Sequence, residues 1–226
     1  MKTVFLHGWS YDSGVWASVR EALPDPDGAV FLDLGHTDLA HTDPSQTNPS
    51  HMDAPCPDRI PDEPFLAVGH SAGALWFLNR AAPQCRGVVA INGFSRFCKA
   101  PDFENGIEPR LVERMIRQLD SDPAATVRRF RKSIMCPLFP LPEPAPDALR
   151  AGLQGLLEHD GRPAARSLGR RLVSVEGEED PLLCAAMRDE AFPEADRRIL
   201  PGGHLLPLTD PESCARIIRD TLDRVS

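Results

Sequence analysis

The sequence predicts an α/β protein: a mostly parallel sheet of about six strands, helices on both faces, and a helical insertion. Three observations predict it. Six short runs are almost continuously apolar, helical patterns separate most of them, and one long stretch carries helical patterns with no strand signal. Runs that are apolar throughout fit strands covered on both faces, as in a parallel sheet. Alternation with helices then implies right-handed crossovers. With 226 residues, 42% of them hydrophobic, the chain can bury a core and is not a disordered chain.

In order, strands are expected at 3–6 (Thr-Val-Phe-Leu), 29–32, 65–68 (Phe-Leu-Ala-Val), 87–91 (Gly-Val-Val-Ala-Ile), 172–175 and 198–200. Helices are expected at 13–22, 72–81, 182–191 and 211–224. The last opens with Asp210 as N-cap and Pro211 at the first helical position. Residues 34–63 are rich in Pro, His, Asp and Ser, which predicts a long surface loop.

The helical stretch contains three patterns. Leu111, Met115 and Leu119 repeat at helical spacing over 108–119. Asp122-Pro123 caps a second helix with Val127, Phe130 and Ile134 on one face. Prolines 137, 140, 142, 144 and 146 end it before a third pattern near 147–158. Residues 1–105 and 161–226 therefore read as a core domain, with 106–160 as a lid. Such an insertion is expected over the carboxyl ends of the strands, where ligands bind.

Composition excludes several classes. There are 25 Lys and Arg against 33 Asp and Glu, a net charge of −8, which argues against a nucleic-acid binder. Apolar runs fall far short of the roughly 20 residues that span a bilayer. The N-terminal residues run straight into His7-Gly8 without a signal-peptide pattern. A cytoplasmic monomer is expected. Six scattered cysteines without a C-x-x-C pair read as free thiols. His36, Asp38, His41, Asp43, His51 and Asp53 fit no standard ligand spacing, so no metal is expected.

The strongest chemical signal is Gly69-His70-Ser71-Ala72-Gly73, a G-x-S-x-G with a strand before and a helix after. A serine on so tight a strand-to-helix turn projects from the sheet, and the glycines remove Cβ atoms that would collide. The Ala72 N–H opens the helix and points toward developing negative charge. His7-Gly8-Trp9, after the first strand, is expected to add the Trp9 N–H as the second oxyanion donor.

A serine nucleophile needs a base, and the base an orienting carboxylate. Gly202-Gly203-His204 follows the last strand, which makes His204 the candidate base. His70 is expected to point away from the serine's partner, and His7 to be structural. The acid comes from Glu176-Gly177-Glu178-Glu179-Asp180-Pro181. Asp180 is favoured, after the Gly177 turn and before a proline that can open a helix, with Glu179 as the alternative.

These residues make the chain resemble the α/β-hydrolase superfamily over nearly its whole length. Within it, His7-Gly8-Trp9 with Val15-Trp16, the G-x-S-x-G, Gly106-Ile107-Glu108-Pro109, Thr126-Val127-Arg128-Arg129-Phe130 and Gly203-His204 resemble the pimeloyl-[acyl-carrier protein] methyl ester esterases of biotin synthesis. The resemblance implies hydrolysis of a carrier-bound methyl ester without a cofactor. On that resemblance Phe130 would line the acyl channel and Arg129 would meet the acidic carrier protein; the Trp9 ring and Ile134 are also expected at the substrate. A generic small-ester or thioester hydrolase with the same triad is the alternative. Family members usually have one or two strands before the one leading to His-Gly; here that strand begins at residue 3, so an exposed or partner-shielded sheet edge is expected.

Charge is unevenly placed. Residues 110–132 hold seven basic side chains against three acidic ones, a net +4, which leaves −12 for the rest. Arg128, Arg131 and Lys132 fall at i, i+3 and i+4, which predicts one basic face beside Arg129 on the second lid helix. That face is the expected docking surface for an acidic carrier.

Overall fold

Every strand pairing in the sheet is parallel. The strands are β1 (Lys2–Leu6), β2 (Ala29–Leu32), β3 (Phe65–His70), β4 (Cys85–Ile91), β5 (Leu172–Gly177) and β6 (Asp196–Leu200). Their spatial order is β2-β1-β3-β4-β5-β6. This is a computed structural model, and it describes residues 1–37, 60–80, 82–136 and 143–226. Most of the 34–63 loop, with Asp38, His41, Asp43, His51 and Asp53, lies outside the described residues, as do prolines 137, 140 and 142.

Strand alternation sorts the core into two layers. Val4, Leu6, Phe65, Ala67, Val88 and Ala90 face one cluster. Phe5, Leu66, Val68, Val89, Ile91, Val173 and Val175 face the other. On the first face pack α2 (Ala72–Arg80), α6 (Arg162–Leu168) and α7 (Ala185–Ala191). On the second pack α1 (Ala17–Ala22), α8 (Leu206–Thr209) and α9 (Pro211–Val225). The six runs read as strands from their apolarity are thus strands: β1, β3, β4 and β5 are buried along most of their length, whereas the edge strands β2 and β6 are partly exposed, Ile199 of β6 at 59%.

Helix boundaries follow local caps. The 13–22 pattern divides into a 3₁₀ turn, Ser13–Trp16, and α1. Asp12 starts the turn by accepting the Gly14 N–H at 2.8 Å. Asp210 caps α9 through the Ser213 N–H, with Pro211 at the first position. The helix expected at 182–191 begins only at Ala185, because the Leu182 and Leu183 amides turn back to Asp180 Oδ1 at 2.8 and 3.1 Å.

Between β4 and β5 run α3 (Pro109–Ser121), α4 (Pro123–Ser133) and α5 (Pro146–Glu158). Asp122 caps α4 through the Ala125 N–H at 2.8 Å. Val112 and Leu119 of α3 and Leu149, Leu153 and Leu156 of α5 join the first core cluster. Arg128, Arg129 and Lys132 of α4 are exposed. The expected basic face needs one correction, because Arg131 is only 5% exposed. It stands one turn after Val127 on the buried stripe, where its guanidinium donates to the Ser10 carbonyl and lies over the Tyr11 ring.

Candidate active site

The sheet order reverses direction at β1, so the ends of β1 and β3 flank a topological switch point, the usual place for a ligand in open parallel sheets. Leu6 is in register with Gly69, which brings the segment after β1 beside the turn after β3. Ser71 stands on that turn with φ +52, in the left-handed region. A non-glycine residue there costs about 1–2 kcal/mol. The surroundings hold it in place. Its N–H donates to Ile91 O at 3.0 Å, and its carbonyl accepts the Ala74 N–H at 3.0 Å. A Cβ at Gly73 would lie 2.3 Å from Leu6 O, and one at Gly69 2.4 Å from the Ala74 nitrogen. Both glycines are therefore steric requirements of the bend.

His204, carried by the loop between β6 and α8, lies against this serine. Its Nδ1 donates to Asp180 Oδ2 at 2.7 Å, since a carboxylate can only accept. That tautomer leaves Nε2, 3.0 Å from Ser71 Oγ, free to accept the hydroxyl proton. All three residues are buried. Burial opposes charge on Asp180. The His204 ring and the two leucine amides outweigh it and hold the carboxyl below the ordinary carboxylate range. The remaining carboxylates of the acidic turn face elsewhere. Glu178 and Glu179 are exposed, and Glu176 is buried in an ion pair with Arg197 at 2.7 Å.

The segment after β1 is fastened to α4 and α5. Trp9 is buried; its indole N–H donates to Leu149 O on α5 at 2.8 Å. Its ring meets Phe130 of α4 edge-on at 4.9 Å. Trp9 and Phe130 are thus brought together, whereas Ile134 is buried in the second cluster, with Tyr11 and Trp16. Ala72, the first residue of α2, directly follows Ser71.

Two histidines differ in kind. His7 is fully buried and donates from Nδ1 to the Gly8 carbonyl at 2.8 Å. Burial works against its charge, but Asp33, 3.1 Å from Nε2, raises its pKa. His70 does not point away from the serine's partner, contrary to expectation. Its Nε2 donates to the His204 carbonyl at 2.9 Å, and the two rings are 5.2 Å apart. Burial and the neighbouring His204 push its pKa down to about 3, so it is a neutral strut.

Asn92 is a site residue that pattern reading overlooks. It sits just after β4 with φ +46, its N–H donating to Val175 O at 2.7 Å. Its side-chain amide donates to Asp180 Oδ2 at 2.8 Å and to Gly203 O at 3.3 Å. The signal was Asn-Gly directly after a strand, since asparagine tolerates left-handed φ. Among the described residues no group of three His, Cys, Asp or Glu side chains could hold a metal ion.

Comparison with known proteins agrees with this architecture. Residues 3–217 match the family model described as the Alpha/beta hydrolase family. A pimeloyl-[acyl-carrier protein] methyl ester esterase of Xanthomonas oryzae pv. oryzae is 29% identical, over 90% of this chain and 87% of that protein. One from Xanthomonas campestris pv. campestris is 30% identical over the same shares. Among solved structures, an esterase from Exiguobacterium antarcticum matches with TM-score 0.73 at 12% identity, covering 99% of this chain and 92% of its own. A thermophilic esterase from Thermogutta terrifontis matches with TM-score 0.70 at 18% identity, covering 100% and 90%. At these identities the solved structures bear on the fold.

Proposed function

The chain belongs to the alpha/beta hydrolase family, and from that premise we propose that it is a serine carboxylesterase acting on pimeloyl-[acyl-carrier protein] methyl ester. The observation that carries the serine chemistry is the unbroken hydrogen-bonded line from Asp180 through His204 to Ser71, at 2.7 and 3.0 Å. The substrate is that of the curated relatives, which align over 90% of the chain at 29–30% identity.

His204 takes the Ser71 proton as Oγ attacks the ester carbonyl. The Trp9 and Ala72 amides stabilise the oxyanion; losing one such donor typically costs about 10²–10³ in rate. His204 then gives its proton to the departing methanol, while Asp180 holds the ring and stabilises its charged form. Water repeats the sequence on the acyl-serine and releases the carrier-bound acid. No step calls on a cofactor. Residues 106–160 act as the lid, with Trp9 and Phe130 lining the acyl path. Arg128, Arg129 and Lys132, together with Arg110, Arg114 and Arg117 of α3, are exposed and basic, suited to an acidic carrier. Cys85, Cys98, Cys184 and Cys214 are free thiols, which fits the cytoplasm.

The test is turnover of carrier-bound against free methyl pimelate. Preference of at least tenfold in kcat/KM for the carrier-bound ester, abolished in Ser71→Ala, is expected. Equal turnover of both would leave a general small-ester hydrolase. Hydrolysis surviving in folded Ser71→Ala would sink the serine mechanism.

A further inference from the structure

Arg131 stands on the inner face of α4, and its charge is buried against one short segment. Nη2 donates to the Ser10 carbonyl and Nε approaches Ser10 Oγ at 3.4 Å. Its Cζ lies 4.5 Å from the centre of the Tyr11 ring. Burying a guanidinium is costly unless its bonds are well made, and a hydrocarbon of equal length would fill the same space. Ser10 is itself unusual: buried, with φ +70. Such backbone persists where its surroundings over-determine it, and it collects at functional sites.

Ser10 directly follows Trp9, whose N–H is the proposed second oxyanion donor. From the other side, α5 holds Trp9 through the bond from its indole to Leu149 O, and Phe130, next to Arg131 in the chain, packs edge-on against the Trp9 ring. The three residues Trp9-Ser10-Tyr11 are therefore gripped by two helices of the insertion.

The geometry points to Arg131 as a positioning residue: by pinning the Ser10 carbonyl it fixes the left-handed backbone at Ser10 and so aims the Trp9 N–H at the oxyanion. The inference rests on the serine-esterase reading above. It assigns Arg131 a role separate from that of its exposed neighbours Arg128, Arg129 and Lys132. A misplacement of about 1 Å in a catalytic array can cost on the order of 10²-fold in rate, so loosening this segment acts on turnover rather than on substrate capture.

Arg131→Met and Arg131→Lys are tested on a carrier-free p-nitrophenyl ester, with inhibition by an aliphatic trifluoromethyl ketone, whose adduct with the serine places an oxyanion in the hole. Met keeps the bulk and loses the donors. Lys keeps the charge without the planar fork or the stacking on Tyr11. Expected for Met is a fall in kcat of about 10–100-fold, with KM within twofold and ketone affinity weakened in the same proportion as kcat. For Lys the expected fall is about 3–10-fold with the same split. If whichever variant folds keeps kcat and ketone affinity within twofold of the parent, the positioning role is overturned. It is equally overturned if only the KM for a carrier-bound substrate rises, which would return Arg131 to the docking surface. Ser71→Ala runs alongside: hydrolysis surviving there means the serine mechanism has failed, whereas an inactive Ser71→Ala beside an unaffected Arg131→Met removes the positioning role alone.

Discussion

Asn92, just after β4, donates its side-chain amide to Asp180 in the turn after β5, onto the Oδ2 oxygen that also accepts the His204 Nδ1–H hydrogen bond. Two donors on one oxygen fix the carboxylate plane and favour its charged form. Asn92→Ala removes one of them and should lower kcat about tenfold on a carrier-free ester, with KM nearly unchanged. Asn92→Asp sets a second carboxylate against the first and should lower it further, because like charges that close cannot both ionise freely. Melting curves accompany both, since the left-handed φ at this position tolerates Ala poorly. A parental kcat in folded Asn92→Ala would show that Asp180 needs no such support.

Among the four carboxylates of the turn, Asp180 alone faces His204. Asp180→Asn should lower kcat by about 10⁴, as loss of the orienting carboxylate does in serine hydrolases. Glu179→Gln, on an exposed side chain, should stay within twofold. The reverse pattern would move the acid to Glu179.

What the sequence made legible was whatever is written in consecutive residues. The apolar runs of the central strands β1, β3, β4 and β5 and the Gly69 to Gly73 elbow are plain in the sequence, because sheet burial and a tight bend impose local composition. The 182–191 pattern is longer than the helix it predicts, because the helix start depends on Asp180 reaching the Leu182 and Leu183 amides, contacts made by a residue with a second role. Arg131 departs from the predicted basic face for a related reason. Helical spacing places it equally near Arg128 and Val127, and it turns inward to partners such as the Ser10 carbonyl, 121 residues away in sequence, and the Tyr11 ring. Asn92 and the His70 strut likewise act through partners distant in sequence, which spacing cannot register.

Stability should fall as the solution is acidified from pH 6.5. His36 and His70 are fully buried, and burial drives both pKa values down to about 3, with His7 and His204 respectively adding repulsion. Between pH 3 and 6.5 the unfolded chain binds two protons that the folded chain refuses, so unfolding free energy rises with pH across that window. The slope is at most about 1.4 kcal/mol per pH unit for each histidine. His7 has the opposite sign: its raised pKa adds stability that is complete below pH 6.5 and lost as pH rises, so it contributes no slope here. Asp33 and Asp180 have lowered pKa values and act only near pH 4 and below. Urea unfolding at pH 6.5 and pH 5 should therefore differ by on the order of 2–4 kcal/mol. His36→Gln, which keeps a donor for the Gly8 carbonyl, should remove about half of the slope. A flat profile between those pH values would mean that the two rings are not buried neutral.

The exposed basic residues of α4 can be separated from its buried one by charge reversal. Arg128→Glu, Arg129→Glu and Lys132→Glu together change the local charge by six units on side chains that face solvent and touch nothing in the proposed triad. A carrier docked on α4 would lie within a Debye length, about 8 Å at physiological ionic strength, of this patch, while most of the acidic surface is screened from it. KM for the carrier-bound ester should rise at least tenfold, with kcat and the turnover of free methyl pimelate unchanged. Raising salt should narrow the difference by weakening binding to the parent. An unchanged KM for the carrier-bound ester would remove α4 from the docking surface and leave Arg110, Arg114 and Arg117 of α3 as the basic side chains to reverse next.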